Sequence, residues 1–157
     1  MTAFRRGVRL GIDVGRARVG VARCDPDGML ATPVETVPRD DRSIARVRDI
    51  AVELEAVEIL VGLPLNLRGE DTPSTADARA FAAAVAQTIA TPVRLVDERL
   101  STVSAHAALR SSGRSQKSSR TIVDQVAAVV LLQQALEVEK STGRPPGSPV
   151  PPVQETT

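Results

Sequence analysis

The sequence predicts a single-domain α/β protein with a five-stranded mixed sheet, an antiparallel three-stranded meander plus two parallel strands, flanked by helices. Three observations carry this expectation. Three short apolar or alternating runs, separated by turn signals, open the chain. Up to residue 140, apolar runs too short for helices then alternate with stretches of helical periodicity. The length, 157 residues, suits one hydrophobic core.

The elements follow in order. Residues 8–14 (VRLGIDV) form a strand with an apolar centre, and residues 17–24 (ARVGVARC) alternate as a second strand. The link Gly15-Arg16 suits a tight hairpin. Asp25-Pro26-Asp27-Gly28 is a turn, followed by a third strand over 29–37, with Pro33 placing it at an edge. Ile44, Val47, Ala51 and Leu54 recur at helical spacing after Asp40 or Asp41 as N-cap. Residues 58–63 (EILVGL) read as a buried parallel strand. A polar loop, 64–73, precedes an Ala-rich helix whose start resembles a capping box of Ser74 and Asp77. Residues 92–97 are a last strand, 101–110 a helix, 111–120 a mobile Ser-rich basic stretch, and 121–140 a buried helix. Residues 141–157, rich in proline and without periodicity, read as a disordered tail outside a domain of residues 1–140.

Composition narrows the function classes. No apolar run reaches the ~18 residues of a membrane span, and no signal-peptide pattern opens the chain, so a cytoplasmic location is expected. The single Cys24 lies in an apolar strand and reads as a buried structural thiol. One His and one Cys are too few for a His/Cys zinc site, and His106 has no nucleophile motif beside it. Net charge is +1, yet it is segregated. Residues 1–24 carry six Arg against Asp13, residues 99–120 carry five cations and no acid, and residues 25–63 carry nine acids against four Arg. The basic segments could face phosphate together, or could be solvated surface. Phe4 and Phe81 are the only aromatic residues, so bases would not be gripped by ring stacking.

In a mixed sheet of this order, the default site lies at the C-terminal ends of the parallel strands. Asp13 closes the first strand there and Asp97-Glu98 the last. Asp124 sits in the final helix, sharing a face with Ala127 and Ala128, whose small side chains permit a close approach to the sheet. Converging carboxylates about 5 Å apart repel by roughly 3 kcal/mol at a dielectric of 20, and must protonate, separate or bind a cation. Hard oxygen ligands select Mg²⁺ or Mn²⁺, the ions used for phosphodiester hydrolysis.

The blocks GIDVGRARVGVA (11–22), VGLPLNLRG (61–69), DERLST (97–102) and IVDQVAAVVLLQ (122–133) together resemble the YqgF family, also called RuvX. The blocks occur in family order and span residues 8 to 140. Members are Holliday-junction-resolvase-like proteins with a ribonuclease H-like fold, also assigned to trimming the 5′ end of precursor 16S ribosomal RNA. The resemblance implies Asp13, Glu98 and Asp124 as the catalytic, metal-binding triad. It also points to the loop of Asn66 and Arg68, and to Arg99, on the substrate side, and the basic stretch adds Lys117 and Arg120. Two departures stand out. The segment Ser115–Arg120, very basic in the family, carries only two charges here. A further acid found in related resolvases is replaced at Ala127 or Ala128.

The resulting expectation is a metal-dependent endonuclease on structured nucleic acid. A four-way DNA junction has two-fold symmetry and calls for a homodimer, whereas ribosomal RNA needs one site. Two other classes remain: a non-catalytic RNA- or protein-binding module on the same fold, and an actin-like ATPase fragment, suggested by Asp13-Val14-Gly15 after a strand.

Overall fold

The computed structural model describes residues 4–98 and 116–151, with side chains in the final helix from Gln125 onward. The chain order is β1 (Arg9–Val14), β2 (Arg18–Cys24), β3 (Ala31–Pro38), α1 (Ser43–Glu53), β4 (Glu58–Leu63), α2 (Pro73–Thr88), β5 (Val93–Asp97), α3 (Gln116–Thr142) and β6 (Ser148–Pro149). The sheet order is β3-β2-β1-β4-β5-β6. β1 runs antiparallel to β2 and parallel to β4, and β4 runs parallel to β5. The mixed sheet is therefore as expected, with one short strand added.

The meander follows from its turns. The β1–β2 hairpin closes with Gly15 N–H donating to the Arg18 carbonyl at 2.8 Å, so its tip is Arg16-Ala17, one residue beyond the expected link. At the next turn, the Asp25 carboxylate accepts from the N–H groups of Asp27, Met29 and Leu30. β3 does lie at an edge, and its register slips opposite Val21/Ala22, a bulge beside Pro33.

Strand alternation divides the core into two layers. Leu10, Ile12, Val19, Val21, Ile59 and Val61 face α1 and α2. Ala22, Cys24, Ala31 and Leu60 face α3, packing against Ala128, Leu132, Ala135 and Leu136. Cys24 is a buried free thiol, as expected, and burial pushes its pKa up.

Three boundaries differ from expectation. α1 begins after Arg42, which makes no side-chain cap; Asp40 instead folds the preceding turn, accepting from Arg42 N–H while Ser43 Oγ accepts from Asp40 N–H. At α2 the reciprocal capping box is Thr72 with Thr75, and Pro73 takes the first helical position. Asp77 is drawn instead to Arg39, which binds it through both terminal nitrogens at 2.7 and 2.8 Å. α3 begins at Gln116, so residues 116–120 are helical and only part of the supposed mobile stretch, 111–115, falls outside the described residues together with the expected helix over 101–110.

The expected disordered tail is the largest difference. α3 continues to Thr142, and the chain then returns along β5, where Ser148 and Pro149 pair with Leu95 and Arg94. Val150 N–H donates to the Val93 carbonyl, and the Arg94 guanidinium donates to the carbonyls of Pro146 and Gly147. Gly147 lies so close to the Leu95 carbonyl, with φ +70°, that no side chain fits there. Proline-rich composition concealed an edge strand held mainly by main-chain bonds. Residues 152–157 lie outside the described residues.

At the C-terminal end of α3, Glu139 enters a buried ion network. Arg9 donates to it at 2.9 Å and Arg5 at 2.6 Å, and Arg5 also grips both oxygens of Glu58. Arg9, Glu58 and Glu139 are each at most 2% exposed, and the Phe4 ring covers the Arg9 guanidinium at 4.3 Å. Burial raises the Glu139 pKa, but the hydrogen bonds from Arg5 and the charge of Arg9 outweigh it and hold the carboxyl below its usual value.

Removing one partner of a buried pair strands the other charge, so Glu139→Gln should cost about 3 kcal/mol, read as a lowered urea midpoint. Because the native carboxyl binds its proton less readily than the unfolded one, its stabilisation is full above the ordinary glutamate value of 4.5 and is lost as pH falls below it. The stability difference between wild type and Glu139→Gln should therefore shrink on acidification from pH 7 to pH 3.

Candidate active site

Asp13 is the penultimate residue of β1 and, by alternation with Arg9 and Gly11, belongs to the sheet face covered by α3. Glu98 follows β5 directly, and its N–H donates to the Leu63 carbonyl at the end of β4, 3.3 Å away. The two carboxyl groups meet: the Glu98 side chain hydrogen-bonds Asp13. Burial pushes the Glu98 pKa up; the bond to Asp13 opposes this, and the charge of Asp97 adds to it. Two neighbouring carboxyl groups, one of them biased by burial toward its protonated form, are an arrangement that a cation could stabilise.

A glycine makes this meeting possible. Gly62 pairs with Val96 across β4 and β5, and a β-carbon at position 62 would collide with Glu98 Oε2 and crowd Leu131. The Glu98 carboxyl lies where that side chain would be. Asp97 takes the opposite orientation in the alternation, with Val93 and Leu95, and is exposed. Asp97 thus belongs to the other face of the sheet.

The position of residue 124 follows from the path of α3. Glu139 meets Arg9 at the start of β1. Leu132 and Ala128 lie over Gly11, where a β-carbon would stand 2.8 Å from Leu132 Cβ and 2.9 Å from the Ala128 carbonyl oxygen. Gln125 donates to Thr36 Oγ1 at 2.7 Å. Thr36 pairs with Gly20, and Gly20 with Asp13. The helix therefore runs antiparallel to β1, and one helical turn, about 6 Å, matches two strand residues, about 6.6 Å. Residue 124 is one turn before Ala128, as Asp13 is two residues after Gly11, so its backbone falls over the row of Asp13. The side chain of Asp124 lies outside the described residues, as do Arg99 and the side chains of Lys117 and Arg120. Among the described residues no group of three or more metal-ligating side chains assembles, since these supply only Asp13 and Glu98 of the expected triad.

Asn66 lies on the exposed loop after β4. Its Oδ1 accepts from the N–H groups of Arg68 and Glu70, both at 2.9 Å, so it shapes the loop after β4. Arg68 is exposed on that loop. The sequence reading missed Gly11 and Gly62. A glycine in an otherwise apolar strand was the available signal, because it marks a close approach by another part of the chain.

A model of the family described as "RuvX: Holliday junction resolvase" matches residues 7–138. The chain belongs to the RuvX family. Relatives include a protein of Leifsonia xyli subsp. xyli, 60% identical over 151 residues that cover 95% of this chain and 97% of the relative, and one of Streptomyces coelicolor, 55% identical over 94% and 90%. Both bear the name "Putative pre-16S rRNA nuclease". Among solved structures, RuvC of T. thermophilus in complex with a Holliday junction substrate aligns over 92% of this chain and 99% of its own, with TM-score 0.56 and 19% identity. A second T. thermophilus RuvC structure gives 0.53 and 17%. At such identity the likeness speaks for the fold, which is ribonuclease H-like as the family resemblance implied. Among the described residues, no helix is long and apolar enough to cross a membrane.

Two outcomes test the RuvX site as built. Gly62→Ala should leave the urea midpoint nearly unchanged, because the colliding atom ends a flexible side chain, yet weaken Mn²⁺ binding by at least ~10-fold in calorimetry, as displaced ligand geometry does. Mn²⁺ affinity should fall as the pH is lowered toward ~5, since burial raises the Glu98 pKa and a protonated carboxyl offers a cation less.

Proposed function

We propose that this chain is a divalent-metal-dependent endonuclease that processes the 5′ end of precursor 16S ribosomal RNA, with Asp13, Glu98 and Asp124 as the catalytic carboxylates. The observation that carries the reading is the half-buried pairing of the Asp13 and Glu98 carboxyl groups, with the backbone of residue 124 on the same row. The donor set fits a hard cation: carboxylate oxygens in a pocket opened by Gly62, with no competing thiol or imidazole among the described residues nearby. Asp13, Glu98 and Asp124 would hold Mg²⁺ or Mn²⁺, which when bound supplies positive charge to the scissile phosphate and acidifies a water.

The chain's own residues do the rest. Asp13 and Glu98 present carboxylate oxygens side by side, with Glu98 seated over Gly62. The packing of α3 on Gly11 fixes the height of residue 124 above β1. Arg68 on the loop after β4 and Arg16 at the hairpin tip stand exposed at the same end of the sheet and would contact phosphates, joined by Arg99, Lys117 and Arg120. The names of the relatives favour the ribosomal precursor as substrate, and a single RNA end requires one active site rather than a symmetric pair. The setting for such a substrate is the cytoplasm.

Cleavage of a labelled precursor 16S leader and of a four-way DNA junction, with Mg²⁺ and with Mn²⁺, tests this. Wild type should cut the RNA at discrete positions, and Asp13→Asn, Glu98→Gln and Asp124→Asn should each lower the rate at least ~10³-fold, a loss of about 4 kcal/mol of barrier reduction. Cleavage of the junction alone would replace the substrate while keeping the chemistry. Cutting that persists unchanged in Asp13→Asn would remove the proposed site.

A further inference from the structure

The loop after β4 presents one large side chain that the fold does not use: Leu67 is 98% exposed. A single exposed leucine is ordinary on a protein surface. What sets this one apart is the construction that carries it. Leu65, two residues earlier, packs against the core, and Thr75 Oγ1 donates to the Pro64 carbonyl at the base of the loop. Asn66 then closes the tip. Its N–H donates to the Glu70 carbonyl, its Oδ1 accepts from Arg68 and Glu70, and its carbonyl accepts from Gly69, whose φ of +77° favours glycine. Leu67 is thus held away from the protein by a built turn. The strongly exposed apolar residues of the meander, Met29 and Leu30, lie on the β2–β3 turn at the far end of the sheet.

Position and composition supply the second argument. The loop leaves the sheet at Leu63, the residue to which Glu98 N–H is bonded. Four residues span at most about 14 Å, so Leu67 lies within that distance of the Glu98 anchor, or about four stacked bases at 3.4 Å each. Neither aromatic residue of the chain is available to touch a base there. Phe81 is 3% exposed in the core, and Phe4 covers Arg9 at the opposite end of β1.

We propose that Leu67 is an apolar wedge that enters a base step of the bound nucleic acid close to the scissile phosphate, with Arg68 against the adjoining phosphate. This rests on the nuclease reading above and adds the determinant of where the enzyme cuts. Insertion must unstack a step, which is easiest where pairing already ends, so the wedge directs cleavage to boundaries between helical and unpaired nucleotides. Leucine, without a ring, reads no base identity, and the selectivity is for structure rather than sequence.

The test uses full-length protein and precursor 16S leader RNA carrying 2-aminopurine at successive positions around its cleavage site, with Ca²⁺ for binding and Mn²⁺ for cleavage. A four-way DNA junction labelled at its branch point forms the second arm. Wild type should raise the fluorescence severalfold at one or two adjacent positions. Leu67→Ala, with an unchanged urea midpoint, should lose that rise and cut the stem-containing substrate at least tenfold more slowly, while a fully single-stranded RNA is cut at the wild-type rate. Leu67→Phe should restore both signals. Wild-type cleavage with flat fluorescence at every labelled step, or a Leu67→Ala variant equal to wild type on both substrates, overturns the wedge and leaves the nuclease reading intact. Failure of wild type to bind or cut either polymer overturns the nuclease reading and the wedge with it.

Discussion

The close contact of α3 with the bare backbone of β1 is the constraint on which the site depends. Where Gly11 passes beneath the helix, the Ala128 carbonyl and Leu132 occupy the space of a side chain. Any β-carbon there would lift the helix and carry residue 124 away from Asp13. The same device recurs at Gly62, where the displaced volume is taken by the Glu98 carboxyl. Two absent side chains therefore set the height of the α3 backbone above β1 and the place of the Glu98 carboxyl. Ala127 and Ala128, read in the sequence as permitting a close approach, are 8% and 0% exposed at that contact.

A helix placed by contact alone could slide along its axis, and the ion network at its other end opposes this. Glu139 holds Arg9 of β1, while Arg5 joins Glu139 to Glu58 of β4. Three strongly directional charge pairs fix the register of α3 against the central strands about four turns from residue 124. Such a network is a poor source of net stability, since every charge in it must be desolvated. Its value lies in orientation: a hydrophobic interface tolerates a shift, and a set of guanidinium–carboxylate forks does not. One donor, Arg9 Nε, has no hydrogen-bond partner among the described residues, part of the cost of burying the arrangement.

Much of this was legible in the sequence for identifiable reasons. β4 could be read from a bare apolar run because a central parallel strand is covered on both faces. Asp13 and Glu98 could be read because they end strands, where alternation gives way to chemistry. Asp97 and Glu98, adjacent and both acidic, needed the strand register to separate them. The α2 start was misplaced because Ser74 and Asp77 fit a spacing rule, although Pro73 already marked Thr72 as the cap. The tail was misread because its order comes from main-chain bonds to β5, and composition carries no trace of a partner so distant in sequence. The roles of Gly62 and Gly11 were hidden for a related reason: each depends on what a neighbouring element does with the vacated space.

The short strand β6 has a consequence for how the molecule behaves among its copies. An open sheet offers unpaired main-chain groups along both outer strands, and each is a template on which another chain can grow. Here the β5 side is sealed by the protein's own returning segment, with Gly147 flush against Leu95. The β3 side is interrupted by Pro33, which has no N–H to give, and by a bulge that breaks the ladder. Both margins are thereby poorer templates for pairing with another molecule. Such protection matters for a chain whose β1 and β4 are apolar enough to aggregate when exposed during synthesis.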